Sequence, residues 1–563
     1  MRSRLLLISL TSLLGAGSLA AQTARQPSLV PYFGTEPTGA SFGYSFEEEF
    51  AVVAETLAGR PGVHFRIRPE DENWSPVRTL QFNQNSEGLE PTVIVVDEEI
   101  FICWVERVRS GGTTVDTLYF DTSFDEGDTW TGPQPMSPAP NPAPIITGYR
   151  AVGVDNGQRQ WIAVVAVHAD APSSEGVLRV WRSANAGRSF AAPITLANGG
   201  VPADGIAVTV DDFRSHIAWS ESLPTGGSRV QHVRFEHGAS APSVPTTVAA
   251  ATARSSGLAL DALGSRVGIA WLTTSTPNLP RTALALSADR GTTFATVDLT
   301  NTHALGARAT QPQVAVVGNE CFLAVTDDRR GADHVFLSRV PFDRASEVGV
   351  EDVFGAPASA PRLFTDRRTG AVRWIEATAG NSRLARVSLG SAAFGPSFPL
   401  LDAPSGSAVE PVTTVFDPRY RDFRGVWLTR DSTRTDALLG GARPQRLRAV
   451  GGALTAGQGN AFELDGFAPD SAGQLFAIAF SGRTGATPLL IDDLAIALDA
   501  DELFFASLSI PQLRGRLELD GKARSGNLWV PASGRGLSIV AAAFASTATG
   551  SLLITDPVSL TIR

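Results

Sequence analysis

Five acidic residues sit two positions after an apolar or aromatic residue in a strand-like run: Glu55, Glu106, Glu221, Asp327 and Glu376. In Trp104-Val-Glu106, Trp219-Ser-Glu221 and Trp374-Ile-Glu376 the leading residue is Trp; in Val53-Ala-Glu55 and Val325-Thr-Asp327 it is Val. Carboxylates that recur at one place in a repeated strand would gather on one face of the fold, where they could bind a sugar, a divalent cation or a basic protein segment. Arg107, Arg329, Arg330 and Arg430 lie beside such positions, and Tyr149-Arg150 lies at a strand entry, so donors would accompany the acids. The alternative is a set of solvated strand ends with local ion pairs. The Trp residues at these ends are expected to pack between repeats rather than to serve as sugar platforms.

The elements that must position these residues repeat every ~50 residues. Ser123-x-Asp125-x-Gly127-x-Thr129-Trp130 is the clearest copy of a second signal. An Asp can accept backbone N–H groups across a tight turn, Gly permits positive φ, hydroxyls satisfy further turn groups, and the indole covers the apolar side. The frame recurs as Ser183-x-Asn185-x-Gly187-x-Ser189-Phe190 and Ser287-x-Asp289-x-Gly291-x-Thr293-Phe294, with an eroded copy ending at Trp74. Each would close a β-hairpin within a four-stranded unit. Eight units can be counted between about 36 and 450. The first and last are incomplete, so they are expected to combine and close a ring of about seven blades, with six to eight open.

These hairpin motifs resemble those of the Asp-box (BNR-repeat) β-propellers, whose best-known members are the sialidases, over about three quarters of the chain. The resemblance implies an all-β propeller at 22–450 with its Asp boxes at the periphery, away from any active site. It also implies where sialidase chemistry would sit: an arginine triad for the substrate carboxylate, a Tyr nucleophile with a Glu partner, and an Asp acid/base. Those residues do not carry over. Phe65-Arg66-Ile67-Arg68-Pro69 is similar to the family's Phe-Arg-Ile-Pro, but an Arg intervenes and the run leads straight into the eroded box, as a third blade strand would. Of five Tyr, Tyr119 and Tyr420 fall on the box side, and Tyr149 comes too early for the family's late nucleophile.

Length and composition narrow the rest. The 563 residues include 54 Gly and 36 Pro, which suits many short strands and tight turns. A net charge of −10 with Lys522 the single lysine speaks against a nucleic-acid groove. Met1-Arg2-Ser3-Arg4, an apolar stretch at 5–14 and small residues to Ala21 form a secretory signal peptide, and no later run is long enough for a membrane span. Cys103 and Cys321, several repeats apart in apolar strands, are expected as buried free thiols. No metal site or cofactor is expected, though calcium stays open. Residues 451–563 lack the repeat and are expected to form a C-terminal β-sandwich.

The function expected is that of a secreted, non-catalytic binding or scaffold module, a monomer engaging a glycan or an extracellular protein on the open face. The alternative is an exo-acting glycoside hydrolase of the sialidase-like type using acids of the same ring. A third class is a purely structural surface protein, which a flat face without a concave polar pocket would indicate.

Overall fold

The computed structural model describes residues 28–563 apart from connections between strands, the longest being 30–34, 81–85, 137–144, 300–307, 344–348, 377–381, 389–397, 402–407, 466–472 and 547–551; within 376–446 it describes strand backbone alone. The stretch at 1–21 that is expected to be a signal peptide lies outside the described residues.

Each repeat folds into four antiparallel strands in chain order. In the second unit these are Glu87–Val96, Glu99–Ser110, Thr113–Ser123 and Gln134–Pro135. Gly111 and Gly112, at φ 59° and 83°, make the two-residue turn between the second and third strands, a conformation that side chains with a Cβ rarely adopt. Eight such sheets follow one another: blade 1 at 35–79, blade 2 at 87–135, blade 3 at 145–201, blade 4 at 206–251, blade 5 at 254–296, blade 6 at 309–352, blade 7 at 358–401 and blade 8 at 408–442. The first strand of every blade touches the first strand of the next, and that of blade 8 touches that of blade 1, so the sheets close a ring around an axis lined by first strands.

The expectation of seven blades gives way to eight. Blade 1 supplies four strands of its own, and only Ser28–Leu29 crosses the seam, pairing with Thr435–Ala442 as the outermost strand of blade 8. The chain ends do combine, but by one short strand rather than a whole unit. The Phe65-Arg66-Ile67 run lies in Arg60–Pro69, the third strand of blade 1.

Apolar side chains fill the space between successive blades. Phe50, Val52 and Phe65 of blade 1 meet Ile100, Ile102 and Trp104 of blade 2, and Val165, Val167 and Leu178 of blade 3 meet Ile217, Trp219 and Phe235 of blade 4. Trp104, Trp219, Trp271 and Trp374 are all buried in such seams. Cys103 and Cys321 are free and buried, and burial pushes the Cys103 thiol up to about 12.

The hairpin at 123–130 is held by its own side chains. Gly127 N donates to Ser123 Oγ over 2.8 Å, while Thr129 N and Oγ1 donate to the two oxygens of Asp125 over 2.8 and 2.6 Å. Those Thr129 bonds hold the Asp125 carboxyl below its usual range. Glu126 and Gly127 both take positive φ, as do Ala186 and Gly187, and Arg290 and Gly291. A Cβ at Gly127 would run into Ile67, at Gly187 into Phe101 and at Gly291 into His232. Each turn therefore seats against the preceding blade.

A separate core belongs to the C-terminal part. Leu447, Phe462 and Leu464 of one sheet share it with Phe476, Ile478, Phe480, Ala541 and Ala543 of another. Arg446–Ala449 pairs with Phe462–Asp465, so the strands of this part begin a few residues before 451. A short helix, Glu502–Ser507, contacts the second sheet.

Candidate functional site

Register places the strand-end acids as a group. Glu106 lies opposite Gly88, near the start of the first strand, whereas Ser123 of the box hairpin lies opposite Ile100 at the other end. The acids thus come up on the end of the ring away from the hairpins. Their side chains, however, do not form an open ring. Glu106 is 1% exposed; Trp104 Nε1 donates to its Oε1 over 3.1 Å and Ser86 Oγ to its Oε2 over 2.8 Å. Asp327 is 2% exposed and is gripped by the Arg329 guanidinium, which also lies over the Phe336 ring at 3.9 Å. Glu55 is buried within electrostatic reach of Arg66. The side chains of Glu376 and Arg430 lie outside the described residues.

The donors are divided as well. Arg107 forms a two-pronged bond to Asp116, with both distances 2.8 Å, and Asp116 in turn accepts Ile146 N. Arg330 is exposed. Tyr149 is a correction to the expected open face: its ring is buried, and its hydroxyl bonds Thr92 Oγ1 at 3.0 Å and the carbonyls of Cys103 and Glu90. Burial raises its proton affinity well above the usual value, so it ties blade 3 to blade 2 as a neutral phenol.

Glu221 alone among the described acids of this set opens on a concave site. Strands Arg214–Ser222 and Ser228–Glu236 pair so that Trp219 faces Gln231 and Glu221 faces Arg229. Strand alternation puts all four on the face that carries Ile217, Val233 and Phe235 toward blade 3. Along this face the seam is apolar as far as Trp219 and then turns polar. There it widens into a cavity of about 530 Å³, walled by residues 196–200 of blade 3, with Trp219, Glu221, Arg229, Gln231 and Pro245 on the side of blade 4. Arg229 Nε donates to Glu221 Oε2 over 2.9 Å. The Gln231 amide, oriented to satisfy its neighbours, takes a second contact from Arg229 Nε at 2.9 Å. Gly200, at φ 75°, lets the chain pass beside Ser222, whose carbonyl would lie 3.2 Å from a Cβ there. Trp219 is the buried end wall, and its Nε1 has no hydrogen-bond partner.

Sequence reasoning singled out Trp219-x-Glu221 but missed Arg229 and Gln231, which are set by the partner strand; pairing the two strands through the turn at 223–227 would have found them. It also missed a kink that recurs near the axis. Glu90, Gln311 and Ala360 have φ of 47°, 52° and 52°, each is followed by Pro, and each marks a register slip in a first strand. The signal was a repeated X-Pro at the start of a unit, present also as Glu36-Pro37 and Glu410-Pro411.

Among the described residues no group of three or more His, Cys, Asp or Glu side chains is placed to hold a metal ion, and no helix is long and apolar enough to cross a membrane.

No family model and no curated protein matches the chain. Solved structures similar to it include an ulvan lyase of polysaccharide lyase family PL25, with 12% identity over 73% of this chain and 95% of that one and a TM-score of 0.40. Another is the polysaccharide lyase Uly1, with 9% identity over 77% and 95% and a TM-score of 0.40. A third is the α-L-arabinofuranosidase Arb93A from Fusarium graminearum, with 11% identity over 63% and 93% and a TM-score of 0.35. At such scores the likeness says nothing of chemistry, which rests on this chain's own residues.

Proposed function

We propose that the chain is an exported, non-catalytic binding protein and that the cleft between blades 3 and 4 takes a glycan. The observation that carries this reading is the change along one strand-pair face, from apolar seam to the set Trp219, Glu221, Arg229 and Gln231 around an open cavity. A volume of about 530 Å³ suits one or two sugar rings better than a protein surface. A carboxylate, a guanidinium and an amide offer the paired acceptors and donors that vicinal hydroxyls need. Hydrolysis would need a second carboxylate across the ligand; among the described residues Glu221 is the acid that lines this cavity, already held by Arg229, and Glu175 beside it is bonded by the Ser222 hydroxyl. Cleavage after about Ala21 would deliver the protein outside the cytoplasm.

The test is a glycan panel titrated against the purified full-length mature protein, alongside turnover of fluorogenic glycosides, sialosides included. Saturable binding that weakens at least tenfold in both Glu221→Gln and Arg229→Gln is expected, with melting unchanged. Glycoside turnover that disappears in Glu221→Gln would overturn the non-catalytic reading. A folded protein that binds nothing on the panel would overturn the glycan.

A further inference from the structure

The seam between blades 2 and 3 also turns polar at the end away from the box hairpins. In the second and third strands of blade 3, Gln160–Ala169 and Gly176–Ser183, Ala166 pairs with Arg179 and His168 with Val177. Paired residues, and every second residue along a strand, share a face. All four therefore lie with Val164 and Trp181 on the face that packs against Leu118 and Phe120 of blade 2. His168 is the penultimate residue of its strand, as Glu221 is in blade 4, and Arg179 stands at the place of Gln231.

Neither polar residue on this face has a partner. Arg179 and His168 are 8% and 7% exposed, and neither forms a hydrogen bond or ion pair among the described residues. Arg179 Nη1 and His168 Nε2 are both enclosed and unbonded. The two residues are diagonal neighbours on the strand pair, about 7 to 8 Å apart at Cα, so one small ion can touch both side chains. Burial lowers the proton affinity of each, and the Arg179 charge lowers His168 further, to about 4, which leaves its ring neutral at neutral pH.

The acids nearby are engaged elsewhere. Across the seam Asp116 is gripped by Arg107 through both oxygens and accepts Ile146 N. Glu87 holds Arg109 at 3.0 Å, Glu175 accepts Ser222 Oγ, and Glu90 and Asp170 are exposed. The connecting stretches 137–144 and 172–174 contain no ionisable residue. A guanidinium kept from water without an acceptor is costly to the fold. Its planar fork matches two oxygens of one oxyanion, and a neutral histidine protonated on Nε2 adds a donor without a second charge.

We propose that the seam between blades 2 and 3 binds an oxyanion, a carboxylate, sulfate or phosphate group, on Arg179 and His168. The test is equilibrium dialysis of the full mature protein against labelled sulfate, phosphate and acetate in turn, at neutral pH and fixed ionic strength. One saturable site is expected, weakened at least tenfold in Arg179→Met and several-fold in His168→Phe. In chloride buffer Arg179→Met should melt no lower than the parent, because the arginine has no partner within the chain to lose. The preferred anion should raise the melting temperature of the parent and not that of Arg179→Met. Arg179→Lys keeps the charge without the fork, so it should fold even where Met fails and bind the anion more weakly than the parent. The Arg229→Gln protein, altered in the cleft, should bind the anion as before, which separates this site from the glycan site. Tighter uptake of sulfate or phosphate assigns a tetrahedral group, and tighter uptake of acetate a carboxylate. Absence of saturable uptake of all three anions by folded protein at millimolar concentration overturns the proposal, as does uptake that no Arg179 substitution alters.

Discussion

In blade 2, Trp104 and Glu106 close on each other, with the indole N–H on one carboxylate oxygen, Ser86 on the other, and no water reaching the pair. In blade 4, Trp219 and Glu221 hold the same places on the second strand, yet Glu221 is 22% exposed and bound to Arg229, and the indole N–H is left alone. The facing strand makes the difference. Thr117 stands opposite Glu106 and is too short to compete for it, whereas Arg229 stands opposite Glu221 and draws the carboxylate outward to a guanidinium fork. Blade 3 completes the contrast by passing Gly199 and Gly200 across the mouth where a larger residue would fill the cleft. One repeated motif is thus found as a structural clasp in blade 2 and as an open pocket in blade 4, where both the cross-strand neighbour and the facing blade differ.

The comparison is sharpest in stability. Glu106→Ala removes a buried acceptor and strands the Trp104 indole N–H, a loss of about 3 kcal/mol. Glu221→Ala breaks a partly exposed ion pair and should cost less than about 1 kcal/mol. Denaturant unfolding of the two variants side by side checks this, and equal losses would erase the distinction between clasp and pocket.

Acid should separate the same two blades by a somewhat smaller effect. Blade 4 with its following turn carries His216, His232 and His237, while blade 2 has no histidine. His232, against His216 at 3.1 Å and under the Phe294 ring, is pushed down to about 3 by burial and then by the charges of His216 and Arg234; His237 is lowered to about 4, chiefly by burial. An unfolded histidine titrates near 6.5, so between that value and about 3 the unfolded chain binds more protons. The stability these neutral rings contribute is complete above about 6.5 and is lost as pH falls toward 3. Hydrogen exchange at pH 7 and pH 5 should show protection falling in 206–251 and holding in 87–135; a uniform loss would contradict the assignment.

How far the sequence could reach follows from the range of each interaction. The hairpin at 123–130 is legible because the side-chain bonds that shape it join residues at most four apart. The burial of the Trp residues is legible from strand alternation. The closing strand was not, since Ser28–Leu29 is two residues long and pairs with Leu438 and Leu439 at the far end of the ring. Nor was the fate of Tyr149, whose hydroxyl is fixed by Thr92, 57 positions earlier in another blade. The exposure of an acid depends on the residue facing it across a strand pair, and a pattern read along one strand does not contain that residue.

The finest test converts one blade into the other. Arg229→Thr places opposite Glu221 the residue type that faces Glu106. With the guanidinium gone, the carboxylate can turn back to the Trp219 indole two positions away on the same face, as Glu106 does to Trp104. Since an exposed pair is exchanged for a neutral–anionic hydrogen bond, stability should change by no more than about 0.5 kcal/mol. The readout is the indole N–H resonance of Trp219, identified by its disappearance in Trp219→Phe. It should move downfield in Arg229→Thr and return in the Arg229→Thr, Glu221→Gln double variant, while glycan binding is lost in both. An indole signal that stays in place would mean that the cross-strand residue does not decide between clasp and pocket, and that the Gly199–Gly200 passage of blade 3 does.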